Sequence, residues 1–281
     1  LSSASFDVLS DEWWGGRFDQ NGFESNASEV LKATVRNEGG TSAAGETATN
    51  TATTNWTHYY QTWDSGVSFD VYLDSTLQTW AADPGTISGT LEADRVAIGR
   101  GVHDGWWDGT VDEFRLASTA RSAAWIAAEY TNQSSTTDFY VVGTAGGEET
   151  TPAPGNWYDT SYAYRREITL NASEIATTSN AFPIAIATTL SDLRHASSGG
   201  KVLSAEGFDI VYVADDDETL LPFEYESYSS TTGAITHWVN TAVSSTTDTT
   251  IYLYYGKRDA TDLSDPTAVW PDYFKAVYHL A

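Results

Sequence analysis

The sequence predicts an all-β chain, an antiparallel sandwich of the jelly-roll kind followed by a second β-sandwich domain. Three observations carry this: period-two apolar alternation, turn signals at short intervals, and helical spacing in one stretch alone. In "VSFDVYLD" (67–74), Val67, Phe69, Val71 and Leu73 share one strand face, while Ser68, Asp70, Tyr72 and Asp74 share the other. "DRVAIGR" (94–100), "GTVDEFRL" (109–116), "FDIVYVA" (208–214) and "TTIYLYYG" (249–256) read the same way. Turn signals such as "NEGG", "DPG", "DG" and "TTG" punctuate them. The exception is "SAAWIAAEY" (122–130), with four Ala and the i,i+4 pairs Trp125–Glu129 and Ile126–Tyr130. With Ser122 as N-cap it predicts one short helix near 122–131, packed on a sheet end.

The stretch "TAGGEETTPAPGN" (144–156) is rich in Gly, Pro, Thr and acid and lacks apolar periodicity, so it reads as a linker. The expected division is a first domain at 1–143, the linker at 144–156, a second domain at 157–256 and a connector at 257–281.

A net charge of −25, from 39 acidic and 14 basic residues, repels phosphate backbones and anionic lipid heads. Nucleic acid is therefore excluded as a partner. No apolar run approaches the roughly 18 residues a membrane span needs, so this segment does not insert directly. Cys and Met are both absent, which removes disulfides, thiolate metal sites and cysteine nucleophiles. A chain without oxidisable sulfur suits an extracellular or cell-surface setting.

Longer strings carry family resemblances. "NWTHYYQTWDSGVSFDVYLDS" (55–75) and "VAIGRGVHDGWWDGTVDEFRLASTARSAAWIAAEYTNQ" (96–133) resemble laminin-G-like, concanavalin-A-like jelly rolls. That family opens with a Tyr-His-Leu strand, which the resemblance does not find near residue 1. The pieces "YRREITL" (164–170), "FPIAIATTL" (182–190), "GFDIVYVADDDETLLPFEYES" (207–227), "HWVNTAV" (237–243) and "TIYLYYGKRDAT" (250–261) resemble the domain of unknown function DUF2341. This family implies architecture and a large multi-domain surface protein, without an agreed activity. "VWPDYFKAVYHLA" (269–281) resembles the exit of that domain running into the first strand of a further jelly roll. Two readings of it stay open: one excised period of a tandem array, or a strand that completes a neighbouring copy.

Catalytic patterns are sparse. Concanavalin-A-like glucanases carry alternate carboxylates on one strand face, as retaining hydrolysis needs two acids about 5 Å apart. "FEYES" (223–227) offers Glu224 and Glu226, with Tyr225 between them and no third acid. Asp112 and Glu113 are adjacent and expected on opposite strand faces, Glu113 sharing its face with Arg115 in a structural pair. No Gly-x-Ser-x-Gly or His-Glu-x-x-His string occurs, so no catalytic residue is assigned and the chain is expected not to be an enzyme.

The cofactor expectation is Ca²⁺. Asp215, Asp216, Asp217 and Glu218 gather at one turn, with Asp104 and Asp108 in "HDGWWDG" as a second candidate. A solvated acidic turn explains the first cluster more simply, because strand alternation splits neighbouring carboxylates and the Asp-x-Asp-x-Asp-Gly spacing is absent. For glycans, the adjacent pairs Trp13–Trp14 and Trp106–Trp107 are the candidate platforms, because alternation turns one ring of each pair outward. The expected partners are neighbouring domains or copies and a surface polysaccharide. The expected role is a stalk, fibre or adhesin, or else the carbohydrate-binding module of a polysaccharide-degrading enzyme.

Overall fold

The structure is a computed structural model describing residues 21–25, 31–37, 41–46, 56–81, 84–90, 110–143, 148–150 and 157–280. In chain order the strands begin with β1 (Asn21–Ser25), β2 (Leu31–Arg36), β3 (Ser42–Glu46), β4 (Tyr59–Asp64), β5 (Ser68–Leu73), β6 (Thr76–Leu77) and β7 (Phe114–Ala117). Helices α1 (Ala123–Ser134) and α2 (Thr136–Phe139) follow, then β8 (Tyr140–Val142), β9 (Glu148–Thr150), β10 (Tyr162–Leu170) and β11 (Ser179–Thr189). The remainder is β12 (Val211–Ala214), β13 (Phe223–Tyr228), β14 (Ala234–Val243), β15 (Thr249–Lys257), α3 (Pro266–Val269) and β16 (Phe274–Tyr278). Among the described residues strands far outnumber helices, as alternation predicts. The expected helix runs to Ser134, and two four-residue helices join it.

Two units divide the chain, one of Leu1–Ile126 with Asp272–Ala281, the other of Ala127–Pro271. The divide falls inside α1, earlier than the expected boundary at 143. The reason is pairing: β8 lies against β10 of the second unit, Val142 opposite Ile168, and β9 within the expected linker also pairs with β10.

In the first unit β1–β2–β3 and β4–β5–β6 are antiparallel meanders, and β7 pairs with β16. Alternate residues Ala33 and Val35, Phe69 and Val71, and Phe114 and Leu116 enter one core with Trp63 and Ile87. Each large side chain so buried contributes about 1.5–3 kcal/mol. Val67 departs from the expected face and is exposed. Gly66 adopts φ 70° in a turn closed by the Val67 N–H on the Asp64 carbonyl, so the strand starts one residue later. Tyr72, expected outside, is buried because Tyr60 and Ile126 cover that second face. Ser122 caps α1, its Oγ accepting the Trp125 N–H at 3.2 Å.

Segment 257–281 divides between the two units at Asp272. Its strand β16 lies in the first unit beside β7, with Tyr278 opposite Phe114 and Phe274 opposite Ala117.

The second unit is a sandwich of one sheet ordered β12–β15–β10–β8 and another ordered β11–β14–β13. Tyr212 of the first sheet meets Phe223 and His237 of the second, with ring centroids 5.7 and 5.9 Å away, which places the core between them. The outward edge of β11 is closed by side chains. Asn132 of α1 donates to the Ala185 carbonyl at 3.2 Å and accepts its N–H at 2.8 Å. Two residues on, the Tyr140 hydroxyl does the same for Ala187, at 2.8 and 2.7 Å. Side chains thus satisfy a strand edge that would otherwise template pairing. Asn132→Ala is expected to cost about 2–3 kcal/mol and to speed hydrogen exchange at the Ala185 amide, because a buried N–H loses its acceptor. Unchanged protection at Ala185 would remove this role.

Candidate functional site

The strand with alternate carboxylates is β13, and both acids have partners. Glu226 Oε2 accepts the Trp238 indole N–H at 2.8 Å, and Glu224 Oε2 accepts that of Trp270 at 2.8 Å. The indole centroids are 5.2 Å apart, over a small core of Ala185, Trp238 and Val269. Trp270 is brought there by α3, which Asp265 caps through the Ala268 N–H at 3.1 Å and which Pro266 starts. Hydrogen bonds from Thr267 and Ala268 hold the Asp265 carboxyl below its ordinary range. Two half-buried carboxylates tied to indoles fasten this end of the sheet.

The acidic turn is likewise committed. Asp216 accepts the Thr219 hydroxyl at 2.6 Å and the Thr219 and Glu218 N–H groups at 2.8 and 2.9 Å, which lowers its pKa. Asp217, at φ 58°, accepts the Tyr254 hydroxyl at 2.8 Å and pairs with Arg165. That guanidinium also meets Glu149 at 2.6 Å and lies 4.2 Å from the Tyr252 ring centroid. Burial opposes charge on Arg165, but Tyr254, Glu149 and Asp217 outweigh it and raise its pKa. A cation at this turn would find Asp215 and Glu218 exposed and the other two carboxylates engaged. Asp217 thus belongs to an arginine clamp. Asp104 and Asp108 lie outside the described residues.

Trp13, Trp14, Trp106 and Trp107 also lie outside the described residues. Among those described, Trp56 is 71% exposed, whereas Trp63, Trp125, Trp157 and Trp238 are buried. Sequence reasoning passed over Trp56. The signal was its place between Asn55 and Thr57, ahead of the alternation that starts with β4. The next residue but one is anchored, since the His58 N–H donates to Asp74 Oδ1 and its carbonyl accepts the Asp74 N–H, both at 2.9 Å.

Asp112 and Glu113 lie just before β7. Glu113, at φ 53°, has left strand geometry; its carboxylate meets Arg115 Nη2 at 2.6 Å and His279 Nδ1 at 2.7 Å. Asp112 Oδ1 accepts the N–H of Glu113 at 2.9 Å and of Leu280 at 3.1 Å. The pair joins two strands.

Residues 4–127 match the concanavalin A-like lectin/glucanases superfamily, in its laminin-G form. Residues 206–278 match the domain of unknown function DUF2341. The two matches lie in that order along the chain, a laminin-G-like region and then a DUF2341 region. No curated protein and no solved structure matches it. The second match starts after β10 and β11, although those strands belong to the same sandwich, and it extends through β16. Laminin-G-like domains are typically binding modules without catalysis, and many bind Ca²⁺.

Proposed function

We propose that this chain is a non-catalytic segment of a large extracellular, tandem-repeat surface protein, acting as a stalk, fibre or adhesin. The observation that carries the reading is the laminin-G-like match over residues 4–127, beside the engagement of Glu224 and Glu226 by indole N–H groups in the second unit. The charge of −25 supports it, keeping neighbouring copies apart and soluble. Among the described residues no helix is long and apolar enough to cross a membrane.

Exposed Trp56 favours a second reading, a carbohydrate-binding module working beside a degrading enzyme. A panel of immobilised polysaccharides, with and without Ca²⁺, separates the two. The stalk reading expects no turnover and no strong preference among polymers. The module reading expects tight binding to one polymer, weakened at least tenfold by Trp56→Ala. Turnover abolished by Glu226→Gln would overturn both. A calcium chelator is expected to leave the melting of the second unit unchanged, since Asp217 of its acidic turn is already paired with Arg165 and Asp216 with Thr219.

A further inference from the structure

The place that β16 occupies is assembled from two short stretches of chain, 112–125 and 273–280. The Ser118 N–H donates to the Tyr273 carbonyl at 2.7 Å, and the Leu280 N–H to Asp112 Oδ1 at 3.1 Å. His279 meets Glu113 at 2.7 Å, and the Arg121 guanidinium lies 3.7 Å from the Tyr273 ring centroid and 4.1 Å from that of Trp125. Ala276 and Leu280 pack on the core that holds Phe114 and Leu116. All four residues of β7 are buried, so this surface does not tolerate being uncovered. Yet the covering strand arrives only after residues 127–271, a complete second unit.

We propose that β16 is an exchangeable strand, able to take its place beside β7 of a second copy of the chain and so link copies head to tail. Every contact above forms identically within one chain or between two, because acceptor and donor are each contiguous. Exchange of an identical element therefore loses no contact, and local protein concentration decides which form dominates. The acidic surface opposes the approach of two copies at low ionic strength, and salt lifts that barrier by shortening the Debye length to about 3 Å at 1 M. The inference goes beyond the proposed function and does not depend on what the surface binds.

The chain contains no cysteine, which gives a clean test. Leu116 and Ala276 are directly opposite across β7 and β16. Full-length Leu116→Cys and Ala276→Cys chains are mixed, unfolded and refolded together at high concentration in 1 M salt, then cross-linked with a short bis-maleimide. The expected product is a mixed covalent dimer, at least tenfold more abundant than the dimer from either variant alone. Ala117→Cys with Phe274→Cys, another opposed pair, repeats the experiment in case the first pair disturbs folding. Doubly substituted chains that close only on themselves, with no mixed dimers, overturn the proposal. It also falls if neither double variant closes an internal cross-link, since the pairing itself is then absent. Neither failure touches the stalk or adhesin reading, which rests on binding and turnover.

Discussion

Asp209→Ala is expected to destabilise the second unit by about 4 kcal/mol and to lower its urea midpoint by about 2 M, taking a slope near 2 kcal/mol/M. Asp209 is fully buried. Its Oδ2 accepts the N–H groups of Leu203 at 2.7 Å and Gly256 at 3.1 Å, and its Oδ1 accepts that of Ser204 at 2.9 Å. One carboxylate thus anchors a loop and the end of β15, where Gly256 turns at φ 82°, with a Cβ there only 2.7 Å from the Tyr164 ring. Removing it leaves three donors without that acceptor, the Gly256 N–H buried and those of Leu203 and Ser204 partly so, and a buried unpaired donor costs about 1–3 kcal/mol. Against a typical total stability of about 5–15 kcal/mol this is a large loss. Asp209→Asn keeps one oxygen and places an amide N–H against a backbone N–H, so its expected cost is intermediate, about 2 kcal/mol. Urea unfolding combined with hydrogen exchange on β10 and β15 assigns the loss to this unit. If both variants shift stability by less than about 1 kcal/mol, the anchor is not what holds Gly256.

Such an anchor is hard to read from sequence because nothing in "GFDIVYVA" distinguishes a buried aspartate from a surface one before the strand. Period-two alternation identified β5, β12 and β15, and Ser122 with its following Ala-rich run identified α1. These are local signals, and local geometry answers them. What alternation leaves open is the partner. The pattern of "FKAVYHL" says strand, but pairing with β7 joins residues more than 150 positions apart, and no turn residue specifies it. The same holds at the candidate site. Glu224 and Glu226 were visible as alternate acids on one strand, while the indoles that engage them come 46 and 12 residues later. Tyr72 was read as outward, because the second layer over β5 comes from Tyr60 and Ile126 on other elements. His237 is the converse. It sits between Ile235 and Val239 on one strand face, so its burial was legible even though its consequence was not.

That consequence is an acid sensitivity centred on one imidazole. His237 is fully buried, with Nδ1 3.0 Å from the Tyr212 hydroxyl and the Tyr225 ring centroid 4.8 Å away edge-on. Among the described residues its Nε2 has no hydrogen-bond partner. The groups around it are phenols that burial keeps protonated, so no carboxylate favours the imidazolium, and burial pushes the His237 pKa down to about 3. An unfolded chain takes up this proton near pH 6.5. The folded chain refuses it until about pH 3. Between those values the unfolded state binds one more proton, so stability is full above pH 6.5 and falls as pH falls, by about 1.4 kcal/mol per unit. Carboxylates enter lower down. Burial alone would raise Asp159, but hydrogen bonds from Lys257 and Ser161 hold it at about 2, so its contribution is lost only below the ordinary carboxylate range. The window from pH 6.5 to 4.5 therefore isolates the histidine, with an expected loss of about 3 kcal/mol from the second unit. His237→Gln keeps a polar partner for Tyr212 and cannot titrate. Its stability at pH 7 is expected to be lower, yet its pH slope across that window is expected to be flatter by about 1.4 kcal/mol per unit. Urea unfolding at half-unit pH steps measures both slopes, and parallel lines for the two proteins would show that the buried imidazole does not set the acid limit.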